Sequence, residues 1–478
     1  MHEGPWARKA ARRRTGLHTV MALIFLVIAA GAAYVAIVLV PKWLRGPELE
    51  ATATPSPTVS TINPLPGCQG PGFPNFAQLG TVAWVDSGIL RTVDLATCRQ
   101  RTVVGGDASA PVRFSPDGKW IAYGEGTIVR STGGKPAAVL NATRAFEWSP
   151  KGDRLVFVTK AGGVSLTGPK GAPQALLAPS AGRASHALWS PNGKSIAVDL
   201  PDRIMVIDAA TFEPRAVFTT SGPSPELAGW TPDSRWVLFW AKPLGEGAGR
   251  VAGRALDAVP AAGGDWLNVW DEMLPLRDFV TTCGKQVAIA GGGRRLLSQG
   301  KQILLTSAPK WEFHNVTQDY IRSWVWPACS PNARWLAVTA MPNAEESEFA
   351  GGIRPLYVLK LGTPRREKVD PATTLGALEA PRWSSDGQTL LVIQRQENSW
   401  DGDGTLTLVE IDPVTGKSIQ VADLGIDVGS APGEGGHQRW NETTDWYRPP
   451  APAASPTPEP SESPKPPKPP KSNAPGNG

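Results

Sequence analysis

One short motif returns along the outer two-thirds of this chain, and its repetition constrains the fold more than any other feature. It reads Phe114-Ser-Pro-Asp-Gly-Lys-Trp-Ile-Ala-Tyr123, then Trp148-Ser-Pro-Lys-Gly-Asp-Arg-Leu-Val-Phe157 and Trp189-Ser-Pro-Asn-Gly-Lys-Ser-Ile-Ala-Val198. Further copies are Trp230-Thr-Pro-Asp-Ser-Arg-Trp-Val-Leu-Phe239, Cys329-Ser-Pro-Asn-Ala-Arg-Trp-Leu-Ala-Val338 and Trp383-Ser-Ser-Asp-Gly-Gln-Thr-Leu-Leu-Val392. A degenerate copy, Val280-Thr-Thr-Cys-Gly-Lys-Gln-Val-Ala-Ile289, fills the longest gap. The second positions fall at 115, 149, 190, 231, 281, 330 and 384, a period of 34 to 54 residues. Periods of this size mark repeat architectures, in which each copy is one supersecondary unit.

Each copy carries the same physical logic. An aromatic residue ends one strand. Proline then pre-sets φ, Asp or Asn suits the next turn position, and Gly tolerates positive φ. The apolar run that follows is a second strand. Later segments such as Gly404-Thr-Leu-Thr-Leu-Val-Glu-Ile-Asp412 and Lys417-Ser-Ile-Gln-Val421 supply two more. The unit is a four-stranded antiparallel meander, the blade of a β-propeller. An additional unit without the motif precedes the others, with strands at Thr81–Val85, Ile89–Leu95 and Arg101–Val104. The 344 residues from Thr81 to Leu424 then divide into eight blades of 43 residues. Seven blades is the alternative, should the first unit close the ring by sharing strands with the last.

These residues resemble the WD40-like Pro-Asp repeat of TolB-type propellers, also found in the propeller domains of prolyl-oligopeptidase-type peptidases. The resemblance covers about Thr81 to Leu424. It implies an all-β propeller and says much less about function. The α/β domain that precedes the propeller in TolB has no counterpart here, and neither has the hydrolase domain of the peptidases.

Before the repeats, Val20–Val40 reads VMALIFLVIAAGAAYVAIVLV, 21 residues without charge or proline. About 20 apolar residues span a hydrocarbon core as a helix. Arg8, Lys9, Arg12, Arg13 and Arg14 precede the run, which predicts a cytoplasmic N-terminus and an outer propeller. A cleaved signal peptide ending near Ala30-Gly31-Ala32 is the competing reading. The apolar run continues to Val40, and that favours a retained anchor. The expected organisation is a basic stub (1–17), a transmembrane helix (18–41) and a Pro/Thr-rich linker (42–72). The propeller (73–430) and a Pro-rich disordered tail (431–478) follow.

Of the formal net charge of +5, the stub accounts for most, so no basic stripe for nucleic acid remains on the propeller. The four cysteines, Cys68, Cys98, Cys283 and Cys329, all follow the apolar run, where disulfides persist. Cys283 and Cys329 occupy neighbouring repeats, so a bridge between them is plausible, leaving Cys68 with Cys98. Four cysteines allow three pairings, however. No metal-binding spacing, G-x-S-x-G elbow, H-E-x-x-H or P-loop is present, and the histidines beyond the stub and membrane run are His186, His314 and His437. The chain is therefore expected to be a non-enzyme without cofactor or metal. Asp401-Gly-Asp403-Gly404 reads as a hairpin, since Leu406 stands where a calcium loop needs glycine. Trp266, Trp270 and Trp311 could be stacking platforms, but packing is the expectation, as for the motif residues Trp148, Trp189, Trp230 and Trp383. The expected role is a membrane-tethered extracytoplasmic module binding a protein or cell-envelope component. A sensory subunit and an enzyme with an unrecognised channel site are the alternatives.

Overall fold

The computed structural model describes residues 63–64, 80–222, 224–241, 254–273, 280–291, 302–317, 323–341, 355–362, 373–376, 380–395, 404–412, 414–429 and 440–450. They form eight antiparallel sheets, the blades of a propeller. Blades 2 to 8 span residues 112–139, 142–177, 187–219, 226–273, 280–315, 323–376 and 382–429, each with four strands in sequential order. The eight-blade expectation holds.

Blade 1 is built from both ends of the domain. Thr81–Asp86, Ile89–Asp94 and Arg99–Val104 follow one another, and Thr444–Tyr447 pairs with the first of them, Trp84 opposite Thr444 and Thr81 opposite Tyr447. The short strand Asn63–Pro64 adds to the far edge, against Arg99 and Gln100. The sequence reading placed 444–447 in a disordered tail, outside the 73–430 boundary, and the structure corrects it. Four residues shortly before a proline run carry little periodic signal, and only the open edge of Thr81–Asp86 gives them a partner. That edge also explains why the first unit lacks the turn motif: its first strand arrives from the other end of the chain.

First strands of successive blades lie side by side, which places them innermost in the ring. The core is not one mass but a series of clusters between adjacent sheets. One joins Trp335, Leu356 and Val358 of blade 7 to Trp383, Leu390 and Val409 of blade 8. Another joins Phe146, Trp148 and Phe157 of blade 3 to Trp120 and Ile128 of blade 2. Sheets buried on both faces read as continuous apolar runs, which is why Trp120–Tyr123 is buried at all four positions.

The motif turn is held by a side-chain bond that Pro and Gly alone do not supply. The buried Ser115 hydroxyl donates to Asp117 (2.6 Å) and accepts the Trp120 N–H (3.0 Å). Asn192, Asp233, Asn332 and Asp386 serve the same way for Ser190, Thr231, Ser330 and Ser384. Blade 3 carries Lys151 at that position, which cannot accept, and Asp153 substitutes, 2.7 Å from Ser149. Gly118 sits at φ 70° with its Cα so close to the Tyr447 ring that a Cβ would lie 2.5 Å from it. No side chain fits there.

Candidate functional site

The first strands carry the polar chemistry of the ring, and most of it joins one blade to the next. Trp148, Trp230 and Trp383 each donate the indole N–H to a backbone carbonyl of the preceding blade, those of Arg113 (3.1 Å), Leu188 (3.2 Å) and Ala328 (2.8 Å). Each acceptor is the residue just before the motif's aromatic position. With Trp189, these tryptophans are only 2–6 % exposed, as packing residues should be. Two carboxylates reach the opposite way. Glu147 accepts the Trp189 N–H (2.7 Å), and Asp445 accepts the Phe114 N–H (2.6 Å). Asp445 also receives Arg382 of blade 8 (3.1 Å), so the closing strand is tied to both neighbours. Arg448 completes the closure by donating to the Trp383 carbonyl.

Blade 7 departs from this pattern. Cys329 stands where blades 2, 3, 4, 5 and 8 place the aromatic, opposite Leu336 as Trp148 stands opposite Leu155. It forms a disulfide with Cys283 of blade 6, with Cα atoms 5.2 Å apart. A covalent link thus replaces the tryptophan clamp at this junction, and the expected pairing of these two residues is realised. Strand pairing also corrects the register of the degenerate copy. Thr282, opposite Val287, holds the aromatic position, and Cys283 takes the place of the motif serine. Its hairpin is two residues shorter than the other turns, so an ungapped reading of the sequence slides Val280 into the aromatic position. Cys98 is also disulfide-bonded. Cys68 lies outside the described residues, as do Val20–Val40, His437 and Asp401–Asp403.

One histidine is built into the ring more firmly than the sequence suggested. His186 precedes the first strand of blade 4, and its Nδ1 lies 2.7 Å from Asp199 Oδ2. Asp199 is 1 % exposed and also accepts the N–H groups of Ser185 (3.2 Å), His186 (2.5 Å) and Leu227 (3.1 Å). A buried carboxylate is tolerable only when so thoroughly bonded. It orients the ring, with Nδ1 facing the carboxylate and Nε2 at the far side of the imidazole. Leu227 begins blade 5, so the same carboxylate ties blades 4 and 5. Glu226, beside Leu227 in the sequence, is half-buried. The signal missed in the sequence was Asp199 inside the apolar strand Ser195–Leu200, where a lone carboxylate demands partners.

Among the described residues no group of three or more His, Cys, Asp or Glu could hold a metal ion. No helix among them is long and apolar enough to cross a membrane. His314 is exposed on a two-residue strand. Trp311 is buried edge-on to Trp236, and Trp270 packs edge-on to Phe313. Both follow the packing expectation. Trp266 does not: it is 52 % exposed, edge-on to Phe218 of blade 4.

No protein-family model and no curated protein matches the sequence. Solved structures do. Dihydro-heme d1 dehydrogenase NirN, in complex with DHE, is similar at 15 % identity and a TM-score of 0.51, over 78 % of this chain and 78 % of that one. A putative TolB from Agrobacterium tumefaciens matches at 15 % identity and TM-score 0.34, over 58 % of this chain and 92 % of its own. TolB from Acinetobacter baumannii matches at 13 % and 0.31, over 66 % and 82 %. The likeness is one of fold. Propellers of this kind serve enzymes and other proteins alike, so function has to be argued from the residues.

Proposed function

We propose that this chain is a membrane-tethered propeller on the outer side of the cell membrane, acting as a binding module for a protein or envelope component. The observation that carries the reading is the Cys283–Cys329 disulfide in the ring, joined to the 21-residue uncharged run Val20–Val40 that precedes it in the chain. Structural disulfides persist in oxidising compartments, and the basic stub before the run orients the N-terminus inward. A ring clamped at its inner strands is a rigid support for recognition by its two faces. Reporter fusions after Pro449, one active only in the cytoplasm and one only outside, test the placement. Activity of the cytoplasmic reporter alone would overturn it. Cross-linking in intact cells, followed by mass spectrometry, tests the binding role.

A second reading is an enzyme acting at the end of the ring where His186 lies, favoured by the imidazole that Asp199 orients. An imidazole held in place by a carboxylate is a common arrangement for a general base. Hydrolase and lyase screens of wild type beside His186→Ala decide between the two. Activity lost with His186 would favour the enzyme.

A further inference from the structure

Trp266 escapes the packing of the other tryptophans, and strand register explains how it is held. In the fourth strand of blade 4, Pro214–Thr219, Arg215 pairs with Val206 and Phe218 with Ile204. The register shift between these pairs is a bulge, which adds one residue between Arg215 and Phe218. Residues three apart would alternate faces in a regular strand, but here the two share one face. That face is turned to blade 5, since Val206 and Ile204 pack with Val237, Phe239 and Val259. Blade 5 answers with matching register. Asp257 lies opposite Phe239 and Asn268 opposite Asp257, so all three share the face toward blade 4. Trp266, two residues before Asn268, falls on the same side and meets Phe218 edge-on, with ring centroids 6.0 Å apart.

The outer seam between blades 4 and 5 thus presents Arg215 and Phe218 from one side, Trp266 and Asn268 from the other, and all four are fixed from behind. Phe218 packs on the buried Phe239 at 4.6 Å. Arg215 Nη2 donates to the Ala261 carbonyl (2.6 Å), and the Ala261 N–H donates to the Arg235 carbonyl (2.8 Å). Asp257, 3 % exposed, accepts the Asn268 amide N–H at 2.9 Å. A carboxylate oxygen accepts, so the amide nitrogen is the end turned inward and the Asn268 carbonyl oxygen is left to the exposed side. A T-shaped contact takes at most one face of the indole, so the other is open. That face carries negative charge density, which suits the C–H groups on the flat side of a pyranose. The guanidinium and amide beside it supply donors and an acceptor for the sugar's hydroxyls. A protein interface would need a broader apolar centre. Among the described residues the other exposed large apolar side chains, Val139, Val414 and Ile419, stand in blades 2 and 8.

We propose that this seam is a carbohydrate-binding site, with a pyranose unit of an envelope polysaccharide stacked on Trp266 and its hydroxyls bonded to Asn268 and Arg215. The site deepens the binding role above by naming the envelope component. It rests on that role but not on the membrane tether. Because the four side chains are held before any ligand arrives, little ordering opposes binding.

Calorimetric titration of the full chain, purified in a detergent without sugar headgroups, with cellohexaose, mannohexaose and chitohexaose provides the test. At least one of the three should bind. Trp266→Ala should abolish that binding while the melting curve stays close to that of wild type. Trp266→Phe should retain part of it, and Asn268→Ala should weaken it several-fold. The two milder variants carry the test should Trp266→Ala fail to fold. Reporter activity confined to the cytoplasm would remove the envelope as the source of the glycan and overturn that part alone, whatever the titrations show. No binding of any hexasaccharide, or equal binding by wild type and Trp266→Ala, would overturn the site itself. So would a synthetic peptide of residues 451–478 that binds wild type and not Trp266→Ala while no hexasaccharide binds, which would make the seam a proline-peptide site.

Discussion

Trp383 donates its indole N–H to the carbonyl of Ala328, 2.8 Å away, across the junction between blades 8 and 7. The ring is 2 % exposed, so this bond is made in a dry setting between two innermost strands. Trp383→Ala should cost about 3–5 kcal/mol, as for other buried large aromatics. Trp383→Phe keeps much of the volume but loses the indole bond to Ala328, whose strand pairing with Ala337 remains, and should cost about 0.5–1.5 kcal/mol. Trp266→Ala, at a half-exposed ring, should fall below about 1 kcal/mol. Urea melts of the three variants beside wild type rank them, and a Trp266→Ala midpoint below that of Trp383→Ala would contradict the packing scheme.

Ring closure depends on Thr444–Tyr447. A chain ending at residue 430 should expose the edge of Thr81–Asp86 and aggregate or lose its sharp melting transition, since an unpaired strand edge seeks partners. A chain ending at Pro450 should melt as wild type does. Size-exclusion chromatography and circular dichroism separate these outcomes. Asp445→Asn should be milder, because Thr444–Tyr447 keeps its backbone pairing while its ion pair with Arg382 is lost.

Non-reducing peptide mass spectrometry should recover Cys283 joined to Cys329, and the remaining pair is expected to be Cys68 with Cys98. Cys283→Ser with Cys329→Ser should lower the melting temperature. The chain-entropy relation gives about 4 kcal/mol for a loop of 46 residues. The measured loss should be smaller, because strand pairing within blades 6 and 7 already restrains both ends. Free thiols at these positions would refute the covalent junction.

Acid should loosen the turns. Burial works against ionisation of Asp117, but the Ser115 hydroxyl and the Lys119 ammonium and amide outweigh it and hold the carboxyl below its usual range. Backbone N–H groups of Thr211 and Ala210 lower Asp208, and the N–H of Val414 with the Thr415 hydroxyl lowers Asp412. A carboxyl depressed in the folded state stabilises above its unfolded pKa and loses that contribution as pH falls through the folded value. The thermal midpoint should therefore be flat near neutrality and decline below about pH 4. Asp117→Asn should blunt the decline, and an unchanged pH profile would count against the turn's charge-assisted bonds.

The repeated turn marked seven of the eight blades by itself, because Ser-Pro-Asp-Gly encodes its own geometry within six residues and the flanking aromatic and apolar runs encode theirs; the first blade, which lacks the turn, was legible only in its strand runs, and the closed ring decided between seven and eight. The burial of Trp148, Trp189, Trp230 and Trp383 was legible for the same reason. The Cys283–Cys329 bridge was legible as a possibility, since neighbouring repeats place equivalent positions side by side. Tertiary structure alone decided what is paired across hundreds of residues. Thr444–Tyr447 has no strand signal until the edge of Thr81–Asp86 is left open by the curvature of eight sheets. Asp199 looks like a fault in an apolar strand until Ser185, His186 and Leu227 surround it, two of them from the chain before the strand and one from the next blade. Local backbone preference acts over a few residues and can be read in order, whereas the fate of a buried carboxylate or an open edge is settled by whatever the closed ring brings against it.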